Sequence, residues 1–309
     1  MGVARNILLW GSRSERLRSM LPRYRFVRRS VTRFMPGEEP PDALNAAQTL
    51  KENGIPTVIT HLGENLHTAD ETWKVRDHYL DVLDQIQARG LDTHISVKLT
   101  ELGLDQNPEL CYSNMAALVK KADELKNYVW IDVEGSPYTT ATLQLFHRVR
   151  SKYSNTGLCL QAYLYRTRED LQKLLPLAPR IRLVKGAYAE PAEIAFPKKR
   201  DTDENFFDLA KTLLEAGTKN GAVPGIATHD TRLIQRIVKE AGAMGLPQDA
   251  FEIQMLYGIR TETQQQLVRD GFHVRVLISY GSYWFPWYMR RLAERPANVT
   301  FVLRNMLRR

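Results

Sequence analysis

Eight short apolar segments rich in β-branched residues alternate with helical patterns, and this alternation restricts the fold more than any other feature of the chain. Eight such units match the repeat number of a (β/α)8 barrel, whereas an open doubly wound sheet usually has fewer strands and a Gly-rich first turn. No G-x-G-x-x-G motif follows any segment. We therefore predict an α/β protein with a (β/α)8 TIM barrel. The predicted strands are 56–60, 94–99, 128–133, 158–163, 181–186, 224–229, 251–256 and 273–278.

The overall composition is that of an ordinary globular protein. Of the 309 residues, 43% are hydrophobic and 25% are charged, and no run of eighteen apolar residues occurs. Cys111 and Cys159 are the two cysteines and lie in unrelated contexts, so neither a disulfide framework nor a thiolate metal site is predicted. We expect no metal, no membrane-spanning helix and a reducing compartment, the cytoplasm.

The positive charge is concentrated at the N-terminus. Residues 1–35 contain nine arginines and one acid, Glu15, which together carry the whole net charge of +8. We predict a basic helical arm over 1–45, followed by a barrel domain over 46–309. Such an arm could lie on an anionic membrane surface, bind nucleic acid, pack on the barrel or act as a mitochondrial transit peptide. Binding of nucleic acid through this arm would not account for the barrel pattern of the rest of the chain, so no nucleic-acid partner is expected.

Polar side chains follow the predicted strands. In enzymes with this fold, the chemistry takes place at the C-terminal ends of the strands. Their convergence at that face predicts an active site there. The residues are His61, Gly63, Glu64, Lys98, Asp132, Glu134, Gln161, Tyr163, Arg182, Lys185, Tyr188, Thr228, His229, Asp230, Gln254 and Tyr257.

The segment 278–298, ISYGSYWFPWYMRRLAERPAN, places six aromatic rings beside Arg290 and Arg291. Pro286 fits the first turn of a helix, so we predict a helix from about 285 to 294. Trp287, both arginines and Glu294 then share one face. This face is either the solvated side of an amphipathic helix or an anion clamp beside an aromatic wall that caps the barrel mouth.

A series of motifs resembles the proline dehydrogenase family, in its monofunctional bacterial form. The motifs are LGE at 62–64, SVKL at 96–99, IDVEG at 131–135, QAY at 161–163, RIRLVKGAY at 180–188, ATHD at 227–230, FEIQMLYGIR at 251–260 and RRLAERPAN at 290–298. The resemblance implies a distorted barrel that holds FAD noncovalently. It also implies oxidation of L-proline to 1-pyrroline-5-carboxylate, the first step of proline catabolism, by hydride transfer to flavin N5. Electrons would pass to a membrane quinone, through a peripheral membrane contact.

The resemblance also implies roles for individual residues. Arg290, Arg291 and Lys98 would bind the substrate carboxylate, Glu64 would pair with Arg290 in the absence of substrate, and Asp132 would support the site. Tyr257, Leu277 and Trp287 would line the substrate pocket. The flavin contacts implied are Gln161, Arg182, Val184, Gly186, Ala187, Tyr188, Thr228 and His229.

Departures from the family pattern concern the substrate pocket. Leu277 and Trp287 stand where the family has tyrosines that wall the proline ring, Ala189 replaces a common Trp, and Asp230 replaces a common Asn. Proline is the first expected substrate, and 4-hydroxyproline or another cyclic secondary amino acid is the alternative. A Schiff-base aldolase using Lys98 or Lys185 is a more distant alternative.

Overall fold

The computed structural model describes Met20, residues 31–63, Leu66 and residues 68–294, without the side chains of residues 220, 290, 293 and 294. Most of the predicted N-terminal arm therefore lies outside the described residues. The same applies to Glu64, to the Arg290 side chain and to the end of the RRLAERPAN motif.

All eight predicted strands are confirmed. They form one closed parallel barrel in chain order, and β8 pairs with β1 with Val276 opposite Thr57. The observed strands are β1 Thr57–His61, β2 Thr93–Val97, β3 Val129–Ile131, β4 Thr156–Gln161, β5 Arg180–Val184, β6 Val223–Ala227, β7 Glu252–Leu256 and β8 His273–Tyr280.

Helices surround the barrel, and local sequence signals explain where several of them begin and end. Thr68 and Glu71 form a capping box at the start of α2, and Asn107 caps α3 ahead of Pro108. Gly221, with a φ of 78°, ends α6. The helices are α1 Pro40–Glu52, α2 Ala69–Ala88, α3 Pro108–Glu124, α4 Thr139–Arg150, α5 Thr167–Leu174, α6 Lys199–Asn220, α7 Thr231–Ala243, α8 Thr261–Arg269 and α9 Trp284–Glu294.

The first and last of these helices explain why the barrel departs from regular (β/α)8 geometry. Helix α1 packs against β8 and β1, where the helix after β8 lies in a regular barrel, and buries Ala43, Leu44 and Ala47 in the main core. Helix α9 instead packs on Leu62, which follows β1, and on Ile259, which follows β7. The last helix therefore caps the C-terminal mouth, as predicted. Helix α1 also runs across residue 45, and the predicted domain boundary there stays a prediction.

The segment before α1 packs against α9 and holds it on the barrel. Val31, Phe34 and Met35 are buried in the cluster formed by α9, and Trp284 Nε1 donates a hydrogen bond to Glu38 Oε1 at 3.0 Å. In the β7–α8 connection Gly258 has a φ of 69°, and a Cβ there would lie 1.5 Å from the Arg33 carbonyl oxygen. The close approach needs a residue without a side chain. We call residues 31–39 the strap.

Two structural features are absent from the described part of the chain. None of its helices is long and apolar enough to cross a membrane. Its His, Cys, Asp and Glu side chains also form no group of three or more that could hold a metal ion.

Candidate active site

The guanidinium of Arg182 lies inside the barrel and joins four of its strands. Its Nη1 donates to Asp132 Oδ1 at 2.7 Å and to Ser96 Oγ at 3.0 Å, and its Nε donates to Gln254 Oε1 at 2.6 Å. The guanidinium also lies 4.6 Å from the centre of the Trp130 ring. Arg182 Nη2 is buried and has no hydrogen-bond partner among the described residues. This atom is a hydrogen-bond donor that none of the described residues uses.

A series of hydrogen-bonded polar groups continues from Arg182 toward the N-terminal end of the barrel. Gln254 Nε2 donates to Glu252 Oε1 at 2.7 Å, and Arg275 Nε donates to Glu252 Oε2 at 2.8 Å. Arg275 also pairs with Asp92 at 3.0 Å. Sequence reasoning missed Glu252, Arg275 and Ser96. The available signal was charge inside strands that are otherwise apolar.

Lys98, at the end of β2, forms a close ion pair with Glu101. Its Nζ lies 2.5 Å from Glu101 Oε1, and the Glu101 side chain is 2% exposed. Although burial alone would lower it, the charge and hydrogen bond of Glu101 raise the pKa of Lys98. A Schiff-base lysine needs a lowered pKa, so this environment opposes the aldolase alternative at Lys98. Glu101 was not among the predicted site residues; its signal was an acid three positions after a strand-end lysine.

Two more carboxylates lie near this pair. Glu134 accepts hydrogen bonds from Thr100 N at 3.1 Å and from Thr100 Oγ1 at 2.6 Å, and burial raises its pKa. Asp132 is held by Arg182 and Ser96. The structure therefore brings Lys98, Asp132 and Glu134 together as predicted from the sequence.

An ion-pair cluster occupies the corner between β5 and β6. Lys185 Nζ lies 2.6 Å from Asp203 and 3.0 Å from Asp230, and Lys199 pairs with the same two aspartates. Although partial burial opposes it, the hydrogen bond and charge of Lys185 lower the pKa of Asp230 to about 2. Asp230 also caps α7, where its Oδ1 accepts from Leu233 N. Asp203 and Lys199 were missed because they come from α6, distant in sequence.

The predicted cofactor residues lie along the ends of β4, β5 and β6. Gln161 Nε2 donates to the Glu134 carbonyl oxygen at 3.1 Å, while its buried Oε1 has no hydrogen-bond partner among the described residues. Gly186 has a φ of 120°, and a Cβ there would lie 2.3 Å from the Tyr163 ring. The half-buried residues of this stretch include Val184, Ala187 and Tyr188.

Thr228 and His229 lie in the connection from β6 to α7. Thr228 Oγ1 accepts a hydrogen bond from Asp230 N at 3.2 Å, and His229 Nε2 accepts one from Leu256 N at 3.3 Å. These bonds hold the two side chains at the C-terminal end of the barrel. Together with β4 and β5, they present a polar edge suited to a planar ligand with several hydrogen-bonding groups.

The predicted pocket residues also come together in part. Tyr257 N donates to the Leu277 carbonyl oxygen at 2.9 Å, so these residues are neighbours at the ends of β7 and β8. Leu277 is half-buried between the buried Val276 and Ile278. On α9, Trp287 is buried, and the Arg291 guanidinium lies 5.9 Å from the centre of its ring.

A histidine and tyrosine cluster borders the Lys98 side of the mouth. His78 Nε2 and Tyr280 Oη are 2.7 Å apart, and Tyr79 Oη donates to the Ser96 carbonyl oxygen at 3.0 Å. Burial, with the nearby His78 and Lys98, lowers the pKa of His61 to about 4. His61 is therefore neutral near pH 7. The sequence indicated His61 as a strand-end residue but gave no sign of its contact with His78.

Comparison with known proteins agrees with this geometry. The sequence profile described as proline dehydrogenase matches residues 43–304. The chain is 36% identical over 307 residues to proline dehydrogenase 2 of Bacillus subtilis strain 168, covering 99% of this chain and 100% of that protein. It is 37% identical over 281 residues to proline dehydrogenase of Deinococcus radiodurans, covering 89% of each.

Solved structures show the same fold at lower sequence identity. Proline utilization A from Bdellovibrio bacteriovorus, inactivated by N-propargylglycine, matches with a TM-score of 0.81 at 22% identity over 94% of this chain. A Bradyrhizobium japonicum proline utilization A matches with a TM-score of 0.72, also at 22% identity, over 90% of this chain. The chain spans about a third of those proteins, 36% and 32% of their lengths. The chain belongs to the proline dehydrogenase family and is an oxidoreductase acting on the CH–NH group of proline.

Proposed function

We propose that the protein uses FAD to oxidise L-proline to 1-pyrroline-5-carboxylate and passes the electrons to a quinone. The observation that carries the proposal is the Arg182 network. A guanidinium fixed by Asp132, Ser96 and Gln254 keeps one donor, Nη2, buried and without a partner among the described residues. A cation held in this way supports a site where negative charge develops.

The residues of the mouth fit a flavin. Arg182 Nη2 and Gln161 Oε1 are buried polar atoms without hydrogen-bond partners in the described residues, one a donor and the other an acceptor, as a ring edge of that kind requires. Gly186 turns the backbone at a φ of 120° and leaves room that a side chain would fill. FAD, when bound, would accept the hydride from the ring carbon next to nitrogen. It would be held by Gln161, Arg182, Val184, Gly186, Ala187, Tyr188, Thr228 and His229.

Lys98, Arg290 and Arg291 would bind the substrate carboxylate. Arginine suits a bidentate contact with a carboxylate, and lysine supplies a point charge. Cations around the substrate also lower the pKa of its amine, and the nitrogen must be neutral for its lone pair to enter the new C=N bond. Glu64 would pair with Arg290 when substrate is absent.

Trp287, Leu277 and Tyr257 would form the wall around the substrate ring. Trp287 is buried and Leu277 is half-buried. A leucine side chain offers no hydrogen-bond partner to a ring hydroxyl, and leaving that hydroxyl unpaired costs free energy. Leu277 therefore supports proline as the first substrate, with 4-hydroxyproline as the alternative.

A quinone acceptor implies a cytoplasmic protein that contacts the membrane. The nine arginines of residues 1–35 support contact with anionic lipid through the basic arm. The arm lies mostly outside the described residues, so its composition is the support. Vesicle sedimentation of the full chain with anionic and neutral lipids tests this contact; equal binding to both would contradict it.

The proposed activity is tested by visible absorption under anaerobic conditions. We expect flavin bands that bleach when L-proline is added and that bleach less with trans-4-hydroxy-L-proline. Lys98→Met should keep the bands and lose bleaching at the same proline concentration. The matched control is Lys121→Met, which removes a surface ion pair with Asp84. Absence of flavin bands after FAD is supplied would overturn FAD as the proposed cofactor. Flavin bands that persist after proline is added would overturn proline as the proposed substrate.

A further inference from the structure

The Lys98 ammonium is neutralised by a residue of its own loop. Glu101 lies on the short 3-10 turn Thr100–Leu102 that follows β2, and its Oε1 is 2.5 Å from Lys98 Nζ. The second oxygen, Oε2, is buried and has no hydrogen-bond partner among the described residues. Lys98 is 15% exposed and Glu101 only 2%. Of the pair, the lysine is the member that an incoming ligand can reach.

We propose that Glu101 is a positioning residue that controls the charge of the carboxylate subsite, so that binding of the substrate carboxylate at Lys98 is accompanied by uptake of a proton at Glu101. This inference rests on the proposed function, because it takes Lys98 as a ligand of the substrate carboxylate.

The groups around Glu101 favour its protonation when another anion arrives. The end of β3 contributes Asp132 and Glu134, both of which act electrostatically on Glu101. Arg182 is engaged by Asp132. Lys98 faces Glu101 directly and both Asp132 and Glu134 at longer range. A substrate carboxylate adds one more negative charge to this set, and like charges within a buried site raise each other's pKa.

Among the described residues, the other titratable neighbours of Glu101 are neutral near pH 7. His61 of β1 has a pKa lowered to about 4 by burial, by His78 and by Lys98. Burial raises the pKa of Tyr79 on α2 and of Tyr280 on β8. Helix α3 also packs on the turn and contributes Cys111, whose thiol pKa burial raises to about 12. His78, on α2, has a pKa lowered by burial and contacts the His61 ring.

Burial brings the pKa of Glu101 close to neutral pH. Burial raises its pKa to about 7, even though Lys98 acts in the opposite direction. Above that pH, the carboxylate cancels the lysine charge; below it, the pair carries one net positive charge. An anion binds more tightly to the protonated pair, so its affinity falls as pH rises through about 7.

The size of the effect follows from the same pKa. If the protonated pair alone binds, the dissociation constant rises in proportion to one plus the ratio of ionised to neutral Glu101. With a pKa of about 7, affinity is about 30-fold weaker at pH 8.5 than at pH 6. At pH 7.5, binding takes up about 0.8 proton per site.

The probe for the experiment is cyclopentanecarboxylate, which has a ring and a carboxylate but no amine to titrate. Its binding to the FAD-loaded full chain is followed by perturbation of the flavin spectrum from pH 6 to 8.5. We expect the roughly 30-fold loss in the unsubstituted protein and an affinity independent of pH in Glu101→Gln. At pH 8.5 the variant should therefore bind the probe more tightly, a gain that structural damage would not produce.

The matched control is Glu109→Gln, which removes a surface carboxylate on the neighbouring α3 that pairs with Arg148 of α4. The affinity of this variant for the probe should equal that of the unsubstituted protein at every pH. A Glu101→Gln variant that keeps the pH dependence, or an unsubstituted protein without it, would overturn the proposal.

Proton uptake by the unsubstituted protein provides a second test that needs no variant. Calorimetry of probe binding at pH 7.5 in buffers of different ionisation enthalpy should give about 0.8 proton taken up. Zero uptake would contradict the proposal. Both tests measure binding of a carboxylate, so they can fail while proline still bleaches the flavin. Such a result would overturn the role of Glu101 alone. If proline does not bleach the flavin, the proposed function is overturned instead.

Discussion

Replacing Gly258 by Ala tests whether the strap holds the mouth helix in place. Gly258 has a φ of 69°, and a Cβ there would lie 1.5 Å from the Arg33 carbonyl oxygen. The strap must therefore move. It buries Val31, Phe34 and Met35 at 4%, 3% and 2% exposure, and a fully buried side chain of this type contributes about 1.5–3 kcal/mol.

Gly245→Ala is a matched control. Gly245 has a φ of 71°, and a Cβ there would meet nothing within 4 Å. Its substitution carries the left-handed backbone cost, about 1 kcal/mol after the gain from a less flexible unfolded chain. Gly258→Ala carries the same cost and loses about the burial of one strap side chain. We expect it to be about 2 kcal/mol less stable than Gly245→Ala.

Urea unfolding followed by tryptophan fluorescence measures both variants, since Trp284 and Trp287 lie in the affected cluster. Because α9 carries Arg291, Gly258→Ala should also raise the KM for proline, whereas Gly245→Ala should not. If the two variants unfold within about 0.5 kcal/mol of each other and have equal KM, the strap does not support the helix as described.

Three further predictions concern the barrel interior and the ring wall. Burial is the main cause that lowers the pKa of His61 to about 4 and the pKa of His94 well below its usual value. As pH falls, these two histidines are therefore protonated at a higher pH in the unfolded chain than in the folded protein. Stability should fall as pH drops from about 6.5 toward 4, as urea unfolding at several pH values would show; constant stability would contradict it. Asp132→Asn should lower stability by about 3 kcal/mol and reduce flavin content, while Asp84→Asn, at a surface pair, should change stability by less than about 1 kcal/mol. Trp287→Ala should raise the KM for proline about tenfold with flavin retained, and an unchanged KM would remove Trp287 from the wall.

The fold was predictable because each strand has its own apolar signal and barrel strands are covered on both faces. The positions of the helices around β8 were harder to predict from the sequence. The pattern does not show that α1, which precedes β1, packs against β8. That placement depends on barrel closure, a contact between residues at the two ends of the chain.

The site was predictable where residues follow strand ends. Lys98, Asp132, Gln161 and Arg182 meet at one face because parallel strands end together. The partners of these residues were less predictable, because sequence spacing does not show which side chains meet inside a closed barrel. Glu101 was missed although it is only three residues from Lys98, since an acid at this spacing is more often solvated.

Arg182 and Lys98 are both paired with carboxylates, but the two pairs have different surroundings. Arg182 is held by Asp132, Ser96 and Gln254, with Glu252 and Arg275 extending the series of polar groups. Lys98 has Glu101 as its hydrogen-bonded acid, whose pKa is about 7 because of burial. The fixed network suits a cofactor whose surroundings must stay constant, whereas the titrating pair suits a substrate that arrives and leaves as an anion. Changes of pH near neutrality are therefore expected to alter substrate affinity through the Lys98–Glu101 pair.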